Sequence, residues 1–509
     1  MRSRVTAVLL MGALGVGCGP TVLKPHLHDP AKLSGALKAP LKVHLLSGEL
    51  LVLDSWKLSP EGTALTGQGT RYTALREARG SGAQVVAVES IALLETDDRE
   101  QVSQLATIGL STLTGVFGAL SIKCLSDPKS CFGSCPTFYL EDDPQRPVAE
   151  GFSASIARTL EARDVDALEG AHPHGGLLSL RMRNEALETH AVRRVRVLSV
   201  PRPTGARVLA TRDGGFYAMR GLVAPATCSG PEGDCTASIT LADRIERGSL
   251  TDPDDLAARE ELEITFPDAP AHPGVVIRAR QSLLTTFLFY QTLAYMGREA
   301  GDWLATVERS GRQGAQQLLG MGRVLGGIEV ETADGDHGWR PAGAFDEAGP
   351  IAGDVQVVPL EARADGGPLK VRLRMAKGLW RIDQVAVGDV GEALTARALD
   401  PVAVERGGRL DPYARLALRE GRRHLITLPG DEYRLTFAVP GPAEGQALFI
   451  ESEGYYYEWM REEWLREEDP AMVGLIATRP EEALRRLARP FKVHEAGAEQ
   501  AFWASRFGR

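Results

Sequence analysis

The chain has 509 residues, 43% of them hydrophobic and 25% charged, a globular composition with room for about three domains. Its net charge of −9 is modest for that length, and positive and negative residues interleave without a long basic tract. That pattern lacks the electrostatic footprint of nucleic-acid binding, so no nucleic-acid partner is expected.

The first 18 residues read as an export signal. Arg2 and Arg4 supply a positive start, residues 5–16 an apolar stretch, and Val16-Gly17-Cys18 the end of a lipobox, with Gly15 where leucine is usual and Leu14 one place early. The stretch is too short to span a bilayer. The expectation is cleavage after Gly17 and acylation (palmitate or similar chains) of Cys18. The alternative is an ordinary secretory signal cut near Gly17, leaving Cys18 as a thiol. Gly19 follows the cysteine where aspartate would be a retention signal; by resemblance to Gram-negative lipoproteins this implies the outer membrane, facing the periplasm or the cell surface. One acyl chain anchors only reversibly, so a stable membrane partnership needs several.

Residues 19–38, with their prolines and histidines, are expected to be a flexible tether. Residues 39–100 then carry short alternating runs at 41–52, folded around Ser47-Gly48-Glu49, and at 64–72 and 84–94. Four or five strands in so short a stretch predict a small SH3-like β-barrel. Residues 101–140 hold an uncharged run, 101–122, and a cysteine-containing loop. The run is long enough to cross a membrane. A crossing would place the later cysteines in a reducing compartment, so a buried or membrane-apposed helix at 105–122 is favoured.

The fold class expected overall is mainly β and multidomain: the barrel is followed by two β-sandwich-like units with a few helices. The first sandwich, residues 141–345, draws strands from 177–182, 191–200, 206–210, 238–241 and 261–266, and a helix from 282–296 continuing toward Trp303. The second, residues 350–465, draws strands from 369–375, 380–387, 424–428, 433–439 and 447–452. Residues 466–509 form a helical tail in which Glu481 and Glu482 stand four residues before Arg485 and Arg486. Residues 261–267 and 432–438 share a strand pattern, each followed by a proline-rich loop and another strand, and suggest two copies of one sandwich-edge unit.

Six cysteines stand at 18, 124, 131, 135, 228 and 235. In an exported chain the close spacings make Cys131, Cys135, Cys228 and Cys235 disulfide candidates. Gly230, Pro231 and Gly233 let the second loop fold back, and Cys124 competes for partners in the first. With Cys18 acylated one thiol is left over, expected to be buried and inert.

Catalytic residues and cofactors are expected to be none. Gly-x-Ser-x-Gly, Walker and His-Glu-x-x-His motifs are missing from the sequence. The pairs His26/His28 and His172/His174 lack further ligands, and Asp334-Gly-Asp336 departs from a calcium loop at Trp339, so no metal is expected. Asp252 is placed to cap a following helix. The aromatic cluster Tyr455, Tyr456, Tyr457 and Trp459 suits glycan stacking or a protein interface, or else the closed end of a sandwich core.

Residues 129–139, 184–190, 280–290, 428–431 and 454–456 together resemble uncharacterised bacterial proteins. These include exported lipoproteins of myxobacterial type and β modules that accompany FG-GAP or tetratricopeptide repeats. The resemblance implies an exported, β-rich, multi-module chain and carries no catalytic residue over. The leading expectation is a non-enzymatic envelope lipoprotein that scaffolds or binds a protein or glycan. The alternatives are a hydrolase of envelope polymers, or a membrane-embedded assembly factor using residues 105–122.

Overall fold

A computed structural model of the chain describes residues 21–28, 30, 33, 37–45, 49–72, 78–101, 135–186, 188–297, 320–334, 338–346, 349–363, 367–458 and 467–504. The fold is mainly β, with several sheets and a few helices. The chain divides into two compact units, residues 1–74 with 78–123 and residues 75–77 with 124–509.

The first unit is a six-stranded antiparallel sheet. In spatial order its strands are Thr21–His28, Ile91–Gln101, Leu41–Leu45, Leu50–Leu58, Ala64–Tyr72 and Ala78–Ala87. Period-2 alternation sends Leu41, Val43, Leu51, Leu53, Leu65 and Leu94 into one core. On the strand Leu41–Leu45, Lys42 Nζ donates to Glu95 Oε1 at 2.8 Å, and His44 Nε2 lies 3.1 Å from Glu95 Oε2. Burial alone would raise the Glu95 carboxyl, but Lys42 and His44 hold it well below the ordinary carboxylate range. Two expectations are corrected here. Among the described residues the sheet does not close into a barrel, and the stretch read as a tether contributes the edge strand Thr21–His28. Pro25 made that stretch look like a linker, yet an edge is where a strand accepts proline.

The second unit is nested. Its outer part has two sheets. One runs Arg409–Leu410, Pro401–Arg406, Glu432–Ala438, Leu177–Arg183, Thr137–Leu140, Pro147–Glu150; the other runs Arg397–Leu399, Glu188–Pro201, Gln446–Glu458, Ala162–Ala167, with Leu425–Thr427 beside Glu188–Pro201. Phe138, Leu180 and Phe437 from the first sheet share a core with Val195, Val197 and Ile450 from the second, the sandwich arrangement expected. The helix Pro412–Glu420, capped by Asp411 accepting from Ala414 N at 2.8 Å, adds Ala414 and Leu418 to that core.

Between these outer segments in sequence lies an inner part. It comprises a closed barrel, Arg207–Ala210, Phe216–Val223, Trp380–Leu394, Pro273–Gln281 and Asp354–Pro359, and a six-stranded sheet centred on Arg259–Ala269 and Gly367–Ala376. The boundary expected at residues 345–350 is therefore not where the sheets divide. Arg259–Ala269 pairs across it with Gly367–Ala376, and Leu177–Arg183 pairs with Glu432–Ala438. The two similar segments fall in Arg259–Ala269 and Glu432–Ala438, both central strands rather than edges. Each is followed by a turn into a second sheet, and each is met antiparallel by another pair of consecutive strands built the same way.

The helix Leu284–Met296 is buried along most of its length and ends at Gly297, which adopts a φ of 53°. It packs against Pro470–Thr478 and Pro480–Ala504, with the Phe287 and Phe491 rings 5.1 Å apart. The tail helix carries the expected i,i+4 pair, Arg486 donating to Glu482 at 2.9 Å. Residues 238–241, expected as a strand, instead end the one-turn helix Thr236–Ile239. Among the described residues no helix is long and apolar enough to cross a membrane. The run 105–122 and Trp303 lie outside the described residues.

Candidate functional site

Two features of the second unit stand out chemically, and they share backbone. The first is a set of buried acids. Glu150 ends the strand Pro147–Glu150, Asp164 and Asp166 stand two apart on Ala162–Ala167, and Asp354 opens Asp354–Pro359. Glu150, Asp166 and Asp354 are buried and Asp164 half-buried. Backbone amides hold them. Ile351 N donates to Glu150 Oε1 at 2.9 Å, Phe152 N to Asp164 Oδ2 at 3.1 Å, and Ala167 N to Asp354 Oδ1 at 3.2 Å. Glu150 Oε2 has no hydrogen-bond partner. Gly349, at φ 138°, lies flat on that carboxyl: a Cβ there would sit 1.9 Å from Glu150 Oε1, so only glycine closes this lid.

Burial pushes the Glu150 carboxyl up to about 8 against the amide bonds from Ile351 and Ala352. Burial likewise raises Asp164, Asp166 and Asp354. Asp354 adds to the rise at Asp164, and Asp164 to that at Asp166. All four are raised, yet none of them lines the neighbouring cavity.

That cavity, of about 280 Å³, is the second feature. Ala167, Ile351 and Ala352, whose amides hold the carboxyls, form part of its floor, and Arg146, Arg244, Arg278 and Arg280 line it together with Glu169, Glu246 and Asp383. Arg280 forks onto Glu246 at 2.7 and 2.5 Å and reaches Glu499 at 3.0 Å. Arg278 pairs with Glu169, which Arg207 also holds, and lies 3.7 Å from Asp383. Arg146 and Arg244 make no ion pair among the described residues. Burial, and then the Arg244 charge, depress Arg146. Arg244 has a φ of 70°, unusual for a residue with a Cβ, and its N–H donates to Asp383 Oδ1 at 2.6 Å.

The residues singled out from sequence lie elsewhere. Cys228 and Cys235 form a disulfide. Cys135 is a free, buried thiol, correcting its candidacy for a bridge; burial, then the charges of Glu188 and Glu150, push it up and away from reactivity. Cys18, Cys124, Cys131 and Trp459 lie outside the described residues. Tyr455, Tyr456 and Tyr457 are buried, on the strand Gln446–Glu458. Tyr455 and Tyr457 pack with Ala157 and Ala191, while Tyr456 faces the sandwich core. Both faces of that strand are covered, so these three rings belong to the core and offer no stacking surface. Asp252 accepts from Asp254 N and Asp255 N at 3.0 and 3.1 Å in a turn that no helix follows.

The disulfide closes a short loop, with a sequence separation of 7. In the chain-entropy view the Cys228→Ser/Cys235→Ser variant should lose about 2–3 kcal/mol, read as a lower urea midpoint. An unchanged midpoint would mean the cross-link contributes nothing.

The cavity arginines went unnoticed in the sequence because they come from three separated segments. One signal was present: Arg278 and Arg280, two apart, put charge on one face of a strand that otherwise reads Val275-Val276-Ile277. No known family model matches the chain, and no curated protein matches it. What its own residues define is a mainly β protein with a sealed acidic interior beside an arginine-lined cavity.

Proposed function

We propose that this chain is an exported protein, held to the outer membrane by acyl chains on Cys18, that acts as a non-enzymatic binding or scaffold component of the cell envelope. The observation that carries the binding reading is the separation of acids from cavity. A polymer hydrolase needs a carboxyl of raised pKa within reach of its substrate. Here Glu150 sits under Gly349, none of the raised acids lines the cavity, and the carboxylates that do line it, Glu169, Glu246 and Asp383, stand beside its guanidiniums. The Cys228–Cys235 disulfide supports export, since such bonds persist in oxidising compartments. The leader supports the anchor.

Intact-mass measurement of protein extracted from membranes tests the anchor directly. The expected product lacks residues 1–17 and carries acyl mass on Cys18, and Cys18→Ser releases the protein from the membrane fraction. A soluble intracellular product with an uncut leader would overturn the proposal. The hydrolase reading remains the competitor, because raised carboxyls are its hallmark; it requires that Glu150→Gln abolish an activity on envelope polymers.

A further inference from the structure

We propose that the cavity edged by Arg146 and Arg244 is a binding site for a phosphoryl group, free or esterified to a small organic moiety. The inference rests on the binding-protein reading above and names the ligand chemistry of its pocket.

Charge is the first argument. Four guanidiniums line the cavity against three carboxylates, Glu169, Glu246 and Asp383, and Glu169 is shared with Arg207 outside. Arg278 and Arg280 sit in close ion pairs; Arg146 and Arg244 do not among the described residues, where Arg146 feels the charge of Arg244 against those of Asp143 and Asp383. Two neighbouring cations outside any close ion pair match a group carrying nearly two negative charges, which a phosphate monoester does near neutral pH. A carboxylate would neutralise one of them, and its planar edge would engage one guanidinium fork.

Donor supply is the second argument. Arg278 Nε is buried without a hydrogen bond, 3.7 Å from Asp383 Oδ2, on a residue that lines the same cavity. A tetrahedral oxyanion accepts donors from several directions, and arginine is the side chain suited to that geometry. Val148, Ile351 and Val355 supply apolar wall for the organic part of an ester.

Backbone strain is the third. Arg244 keeps a left-handed conformation that glycine adopts freely, and Asp383 holds its amide in place. A bulky cationic residue at a glycine-type position exposes its side chain at a conformational cost, an arrangement that recurs at ligand sites.

The test is calorimetric titration of detergent-extracted full-length protein with inorganic phosphate, glycerol 1-phosphate and acetate. Phosphate and its ester should bind, more weakly as salt rises, and acetate should bind at least about tenfold more weakly. Arg146→Gln and Arg244→Gly should each lower phosphate affinity by about tenfold or more. Arg244→Gly relieves the φ strain, so its melting temperature should hold or rise, which separates lost binding from misfolding. Arg220→Gln, which removes an exposed pair with Glu392, should leave binding unchanged. Tighter binding of the ester than of phosphate identifies an esterified ligand; equal binding identifies free phosphate. Binding with hydrolysis of the ester would keep the site and overturn the non-enzymatic reading. No phosphate binding, or binding indifferent to both arginine changes, would overturn the site and leave the anchor proposal standing.

Discussion

Replacing Arg247 with methionine should destabilise the second unit by about 3–5 kcal/mol, the largest loss expected from any single charge reversal or removal here. The strand Arg259–Ala269 alternates strictly as far as Phe266, and Glu260 shares its inward face with Leu262, Ile264 and Phe266. A carboxylate thus points into the core. Arg247 Nη2 donates to Glu260 Oε2 at 2.7 Å and to Glu232 Oε2 at 2.9 Å, Nε donates to Glu232 Oε1 at 2.6 Å, and Ser249 Oγ donates to Glu260 Oε1 at 2.7 Å. Both members of the Arg247–Glu260 pair are almost fully buried. Removing the guanidinium leaves the Glu260 carboxyl in the core with one hydroxyl for company, which is the costly half-broken state of a buried pair. Removing both charges is different: Arg247→Met/Glu260→Met should come within about 1 kcal/mol of the parent, or exceed it. Urea denaturation of the two variants decides the matter, and equal losses in both would refute the account. By contrast the exposed Arg489–Asp254 pair, at 86% and 72% exposure, should shift stability by less than about 0.5 kcal/mol when Arg489 becomes alanine.

The existence of strands was legible where alternation is apolar against polar. The run 64–72 appears as Ala64–Tyr72, 177–182 as Leu177–Arg183 and 433–439 as Glu432–Ala438. Partner choice was not legible. Leu177–Arg183 finds Glu432–Ala438 across some 250 residues, a pairing no local pattern encodes, and the same long range explains why the unit nests where a cut at 345–350 was expected. Strands that hide acids were missed outright. Pro147–Glu150 and Ala162–Ala167 were not among the expected strands, because Glu150 and Asp166, beside the half-buried Asp164, occupy buried positions that apolar residues usually fill. Thr236–Ile239 was misread for a local reason: Asp234 Oδ1 accepts from Thr236 N at 2.9 Å, and the disulfide fixes the turn, so a short helix forms where β-type residues suggested a strand.

The aromatic cluster teaches the complementary lesson. Tyr455, Tyr456 and Tyr457 could stack on a ligand only if one face of their strand were open, and pairing with Thr189–Ala191 inside a two-sided core closes both. The arginine cavity, by contrast, assembles from a turn at Arg146, a loop at Arg244 and a barrel strand at Arg278 and Arg280. Its convergence is a property of the tertiary fold and of nothing shorter.

The buried acids give the second large expectation, a stability that falls as pH rises through neutrality. The folded-state value for Glu150 lies near 8, against an ordinary value of 4.5. A carboxyl raised in this way stabilises fully below the unfolded value, and that stability drains away as pH climbs through the folded one. The loss should be on the order of 4 kcal/mol between pH 4.5 and 8, with Asp164, Asp166 and Asp354 adding in the same direction. Glu451 and Glu161 work oppositely. Arg163 and Arg196 beside Glu451, and Arg193 and His424 beside Glu161, override burial and hold these carboxyls low, so their contribution is present above the ordinary value and lost as pH falls below it. The melting temperature should therefore peak near about pH 4 to 5 and decline toward about pH 8. Glu150→Gln keeps the shape and an acceptor for Ile351 N while removing the titration. It should flatten the decline between pH 6 and 8 and leave the acid limb in place, which thermal melts across that range would read. A parent curve that is flat or rising there, or a variant with an undiminished slope, would mean that Glu150 stays ionised in the fold and that its environment is far more polar than the lid formed by Gly349 allows.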